Sequence, residues 1–104
     1  MNLEQLQKEG WEWVKHNFPN GKPYQPLLGV TEEVGELCHA HLKMEQGIRN
    51  TTKEDKEDAI GDIIIYLADY CNRNGINLAK SLEQAWRTAS IRNWIKFPKN
   101  GRSE

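Results

Sequence analysis

The chain has 104 residues, 14 of them Lys or Arg and 15 Asp or Glu, for a formal net charge of -1. That length bounds it to one domain, residues 1–104, with a modest core that gains from pairing with a copy of itself. Balanced charge excludes bulk attraction to a nucleic acid polymer or an anionic membrane, so an anionic substrate needs a metal ion or a few placed cations. The longest apolar run, Ile63–Ala68, is too short for a membrane span. The N-terminus lacks a basic-then-apolar signal pattern, so a cytoplasmic protein is expected. Cys38 and Cys71 lie in apolar helical contexts without CxxC spacing and read as small core residues.

Leu3, Leu6, Trp13 and Val14 make a partial apolar stripe that predicts a first helix, roughly 3–16. "FPNGKPYQP" ends it, because prolines and glycine cannot continue a helix. A second helix is expected over 26–46, with Pro26 in its first turn and Gly47 as its stop. Leu27, Val30, Val34, Leu37, Cys38, His41 and Met44 define its expected core face. Thr51 with Glu54, or Thr52 with Asp55, offers a capping box for a third helix over 52–74, stopped by Gly75. Asn77 is the expected cap of a fourth, 78–94, with Leu82, Ala85, Trp86, Ala89 and Trp94 on its apolar face. "FPKNGRSE" reads as a polar tail. The expected fold is all-α, an antiparallel four-helix bundle with short connections.

The second helix carries Glu32, Glu33 and Glu36 at spacings that share one flank. An acidic flank near a helix start is also what the macrodipole favours, so these acids alone have a plain explanation. On the third helix, Asp55, Asp58, Asp62 and Asp69 recur at intervals of three, four and seven, in one stripe with Ile65 and Tyr66. Between Ala59 and Ala68 every residue but Asp62 and the Tyr66 hydroxyl is apolar or glycine. Asp62 is therefore expected to be buried or to line a cleft. A carboxylate there needs a partner. Lys43, Arg87 and Arg92 are candidate cations for a structural salt bridge. The alternative is that the two acidic stripes face each other across the bundle and hold Mg²⁺ or Mn²⁺ through oxygen ligands. Gly35 and Gly61, beside these acids, fit close helix approach or room for a ligand.

"EEVGE", Glu32 to Glu36, the following "HAHLKMEQGIR", and "DAIGDIIIYLADYCNRNGI" resemble the MazG-like, all-α nucleoside triphosphate pyrophosphohydrolase family. The likeness covers about 28–76 well and the four-helix outline loosely. It implies Mg²⁺-dependent hydrolysis of an NTP or dNTP to the monophosphate and pyrophosphate, by a homodimer or homotetramer. It implies metal ligation by Glu33, Glu36, Asp58 and Asp62, and catalytic roles for Glu32, Glu33, Glu36 and Asp62, with Glu32 orienting or deprotonating the water. Two positions depart from the pattern. The family's Glu three residues before its Asp is Ala59 here, for which Asp58 can substitute one turn from Asp62. The basic residue four positions before Asn93 is Ala89, for which Arg92 can compensate. The "RNWIKFPKNG" segment implies that Asn93 and Lys96 reach the nucleotide, and Lys43 is a further phosphate candidate. Trp11, Trp13, Tyr24 and Trp86 can each stack on a base, although aromatic residues at helical spacing more often serve a core.

Two other classes fit parts of the pattern. Glu36 and His39 make a Glu-x-x-His, a spacing found in di-iron carboxylate bundles, although His39 plots away from the expected core face and His41 at its centre. A non-catalytic nucleotide-binding or helical interaction module is consistent with Ala59.

Overall fold

The structure, a computed structural model, describes residues 1–102. These form four helices and, among the described residues, no strand: α1 (Leu3–Asn17), α2 (Gln25–Glu45), α3 (Lys53–Arg73) and α4 (Leu78–Ala89). Local chemistry sets most ends. Asn2 and Gln5 exchange backbone and side-chain bonds in a capping box at the start of α1. Of the two boxes offered before α3, Thr52 with Asp55 is the one that forms. Gly47 and Gly75 turn the chain out of α2 and α3 at φ 74° and 67°, a region costly for other residues. Asn77 caps α4 through the Lys80 amide at 3.0 Å.

The fourth helix stops at Ala89, short of the expected Trp94. The Asn93 side chain accepts from the Lys96 amide at 2.9 Å, and an Asn that bonds nearby backbone competes with helix. The described part of the expected polar tail, 97–102, closes into a loop, and 103–104 lie outside the described residues: Phe97 N–H reaches the Asn93 carbonyl at 2.9 Å and Gly101 N–H the Phe97 carbonyl at 2.7 Å. Gly101, at φ 77°, is buried against Arg92 and Trp94.

The helices pack in the spatial order α2, α3, α1, α4, and α4 does not reach α2. Early α2 meets late α3, where Gly29 lies against Tyr66, and late α2 meets early α3, where Ala40 and Asp55 border one cleft. Gln7 of α1 ties the start of α4, donating to the Ile76 carbonyl at 2.6 Å and accepting from the Leu78 amide at 3.0 Å. Its carbonyl accepts from Asn72 at 2.8 Å.

Little of the chain is enclosed. Val14, Ala59, Ala68 and Cys71 are the buried hydrophobic side chains of the core, and Pro26, in the first turn of α2, is buried as well. The radius of gyration is 17.3 Å, against about 13 Å for a compact domain of this length. Periodicity therefore locates the apolar stripes correctly but does not reveal which of them the chain covers by itself. On α2, Val30 and Leu37 turn inward, whereas Leu27, Val34, Cys38, His41 and Met44 are exposed. Ile60, Ile64 and Ile65 are exposed on α3, and so is Asp62, which lines a cleft rather than being buried. Of the two cysteines only Cys71 is a core residue, and burial pushes its thiol pKa up. The whole of α4 beyond Lys80 is exposed, including Leu82 and Trp86. No helix among the described residues is long and apolar enough to cross a membrane.

Candidate functional site

Positions 33, 36 and 40 of α2 repeat at helical spacing, as do 55, 58, 59 and 62 of α3, so each set lies on one face. The two faces border a common cleft of about 440 Å³. Glu33 and Glu36 line one side of it and Asp55, Asp58 and Asp62 the other, with Ala59 between them. All four acids expected to bind metal thus border one cleft, but among the described residues only Glu32, Glu33 and Glu36 converge closely enough to share an ion, and neither Asp58 nor Asp62 belongs to such a set. Single carboxylate oxygens of these three glutamates all lie within 4.8 Å of one another, although Glu32 itself does not line the cleft.

The electrostatics record this crowding. Glu33 is half-buried, and its carboxyl is held above the ordinary range, first by desolvation and then by the charges of Glu36, Asp62 and Glu32. Asp62 therefore acts on Glu33 across the helix pair. Tyr66, one turn beyond Asp62, has its phenol pushed up by desolvation and by Glu32, Glu33, Asp62 and Asp69. Its hydroxyl stays a neutral donor beside the acids.

None of these cleft acids makes an ion pair among the described residues; the pairs formed are Lys15–Glu12, Lys53–Glu57 and Arg73–Asp69. The salt bridge considered for Asp62 is not among them. Lys43 instead bonds Gln46 at 3.0 Å, and Arg92 lies over Trp94 with its guanidinium 5.6 Å from the ring centroid. Asn93 and Lys96 are held in the C-terminal loop. None of Lys43, Arg92, Asn93 and Lys96 is among the residues bordering the acidic cleft.

The cation that does border it is Arg49, from the α2–α3 loop, whose Nη2 lies 3.0 Å from His39 Nε2. Asn50 and Thr51 of the same loop border it too. Sequence reasoning missed this group. The available signal was proximity: a short loop closing two paired helices must lie at the end of their shared groove. His39 and His41 are also exchanged relative to expectation, because α2 turns the face centred on His41 outward and brings His39 to the cleft.

A second cleft, of about 470 Å³, lies on the other side of Glu33 and Asp62, which border both. It is bordered by Trp13, Phe18, Pro26, Ile65, Tyr66 and the Asp69–Arg73 pair, among others. Of the expected stacking residues only Trp13 is in this set; Phe18 and Tyr66 were missed. Trp11 lies under Arg73 and Lys15 instead, and Tyr24 and Trp86 are exposed elsewhere. Gly29 makes the close approach looked for at Gly35 and Gly61: a Cβ at Gly29 would overlap the Tyr66 ring, whereas one at Gly35 or Gly61 would meet open space.

Hard divalent cations take oxygen ligands of this kind, but the three glutamates that converge are exposed or half-buried on one helix, and exposed acids commonly gather without an ion. No family model, curated protein or solved structure matches the chain.

Proposed function

We propose that the chain is a MazG-like, Mg²⁺-dependent nucleoside triphosphate pyrophosphohydrolase acting in the cytoplasm. The observation that carries this reading is that Glu33 and Glu36 line one cleft with Asp58 and Asp62, with no ion pair to neutralise them among the described residues. Such a wall of like charge is unfavourable by itself and becomes favourable around a cation.

Glu33, Glu36, Asp58 and Asp62 would hold Mg²⁺, with Mn²⁺ as a substitute. Bound there, the metal supplies charge neutralisation for a triphosphate and acidity for a water. The remaining roles fall to the chain. Glu32, whose carboxylate lies beside those of Glu33 and Glu36, would orient the attacking water or take its proton. Arg49, which borders the cleft from its loop side and bonds His39, would grip phosphate oxygens. The products are a nucleoside monophosphate and pyrophosphate.

The same reading includes a homodimer or homotetramer. Leu27, Val34, Cys38 and Leu42 fall on the side of α2 opposite its cleft face, and Ile60 and Ile64 do so on α3. A second copy covering both stripes would complete an antiparallel four-helix bundle and bring the extended chain closer to ordinary compactness.

One observation favours a second reading, since Glu36 and His39 of the Glu-x-x-His border the same cleft. That would suit iron, but α3 carries no histidine and His39 is engaged by Arg49. A nucleotide-binding module without turnover is the other alternative, motivated by Ala59. Purified protein with Mg²⁺ and a panel of NTPs and dNTPs, read by pyrophosphate release, separates these. Folded, metal-loaded protein that releases no pyrophosphate from any nucleotide sinks the enzyme reading, and bound iron with a charge-transfer band would establish the second.

A further inference from the structure

Arg73, at the end of α3, engages all three of its guanidinium nitrogens. Nε donates to Asp69 Oδ1 at 2.8 Å, Nη1 to the Gly21 carbonyl at 2.7 Å and Nη2 to the Phe18 carbonyl at 3.2 Å. The Arg73 and Asp69 side chains are only 9% and 15% exposed, so water competes weakly for these bonds. The guanidinium also lies 5.8 Å from the centroid of the Trp11 ring. Gly21 makes the approach possible, because a Cβ there would come within 2.6 Å of the guanidinium. Its amide bonds the Phe18 carbonyl at 3.1 Å and closes the turn. A planar fork thus fastens the α1–α2 loop to α3 at two carbonyls, a task for which a lysine has the charge but not the geometry.

What this fastening holds is Phe18. Its ring meets that of Trp13 edge-on at 5.8 Å and 64°, and the two side chains are 58% and 56% exposed. Both border the second cleft, with Tyr66 and Pro26 also in its lining. Glu33 and Asp62 form the boundary between this cleft and the acidic one. A partly apolar, aromatic cleft sharing a wall with cation-binding acids is complementary to a ligand with a flat heterocycle at one end and phosphates at the other. Every nucleobase has a π-face able to stack there.

The geometry points to this cleft as the nucleobase subsite, with the base against Phe18 and Trp13, and to Arg73 as the residue that positions its wall. The inference rests on the nucleotide reading of the acidic cleft.

The test uses the full chain in EDTA with uncharged nucleosides as probes, which the unneutralised acids do not repel, read by saturable quenching of tryptophan fluorescence, beside pyrophosphate release in Mg²⁺. Phe18→Ala removes an exposed ring and leaves the fold intact by circular dichroism; Arg73→Lys keeps the charge and removes the fork. Each is expected to weaken metal-free binding and raise KM about tenfold, within the range stacking losses span, with kcat within about twofold of wild type. A merely structural role for Arg73 would lower thermal stability and kcat without this selective rise in KM. The inference is overturned if both folded variants bind and turn over like wild type, or if ribose binds as tightly as the nucleosides. Binding in EDTA that both variants lose, with no pyrophosphate from any nucleotide, keeps the subsite and removes the hydrolase reading. Pyrophosphate release with unchanged KM in both variants does the reverse.

Discussion

The ring of Tyr66 on α3 occupies the space into which a side chain at position 29 of α2 would project. Glycine in a helix interior ordinarily costs about 1 kcal/mol against alanine, so Gly29→Ala would stabilise α2 taken alone. Overlap with a half-buried ring costs more, typically about 1–3 kcal/mol for overpacking. Gly29→Ala is therefore expected to lower Tm and separate α2 from α3, whereas Gly10→Ala, where a Cβ meets open space, is expected to raise it. Paired thermal melts decide this; equal gains for both would mean that the contact is soft.

Glu33 gives a pH dependence with a definite sign. Its carboxyl holds a proton to higher pH in the folded chain than in the unfolded one. The stability linked to it is full below the ordinary carboxylate range and is lost as pH rises through the raised value. Glu33→Gln is expected to raise Tm at about pH 7, and to have little effect at about pH 3.5, where the wild-type group is already neutral. Denaturation at the two pH values in EDTA is the measurement, and a Tm unchanged or lowered at neutral pH contradicts the crowding seen here.

Adding Mg²⁺ should then reverse the cost of that crowding. A ligand at about 100 times its Kd stabilises the state that binds it by about 2.7 kcal/mol. Wild-type protein is expected to show a Mg²⁺-dependent, EDTA-reversible rise in Tm. Asp62→Asn and Glu36→Gln should remove both this rise and pyrophosphate release while leaving helix content intact. Variants that keep full activity would move the metal centre elsewhere.

Arg49, Lys43 and Lys96 make a direct comparison. Arg49 borders the acidic cleft, whereas Lys43 bonds Gln46 and Lys96 lies in the C-terminal loop. Arg49→Gln is expected to weaken triphosphate use by about tenfold or more in kcat/KM, in line with loss of a charge-assisted bond, and to leave the Mg²⁺ shift in place. Lys43→Gln should be near wild type. The opposite ranking would favour a phosphate path from the outer side of α2.

For the exposed stripe, the expected outcome is a solution mass of twice or four times the 12.1 kDa chain. Leu42→Glu and Ile60→Glu should shift light-scattering mass toward one chain and lower Tm. A wild-type monomer with a cooperative melt would show that the faces of α2 and α3 need no partner.

The acidic cleft was the most legible part of the sequence, because Glu33, Glu36, Asp58 and Asp62 lie on two helices and spacing fixes the face a helical residue occupies. Helix types and most ends were legible for the same reason, through Thr52, Gly75 and Asn77. Two things were not. Which face of α2 turns inward depends on tertiary packing: the most apolar stripe, through Val34 and His41, is left outside, and the face with Glu33 and His39 is used. The second cleft depends on residues far apart in the chain, with Phe18, Tyr66 and Arg73 drawn from a loop and a helix, and no local period announces such a meeting.

The pairing of Gly29 with Tyr66, and of Glu33 with Asp62, fixes how this protein tolerates changes of length. One residue inserted in α2 between Gly29 and Glu36 would rotate everything after it by about 100°, moving Glu36 and the residues beyond it off the shared wall while Gly29 kept its place. The same residue inserted between Gly47 and Thr52 would leave both helices in register and alter only the reach of Arg49. Deletions and insertions should therefore be accommodated at the hairpin tip and rejected within the two helices.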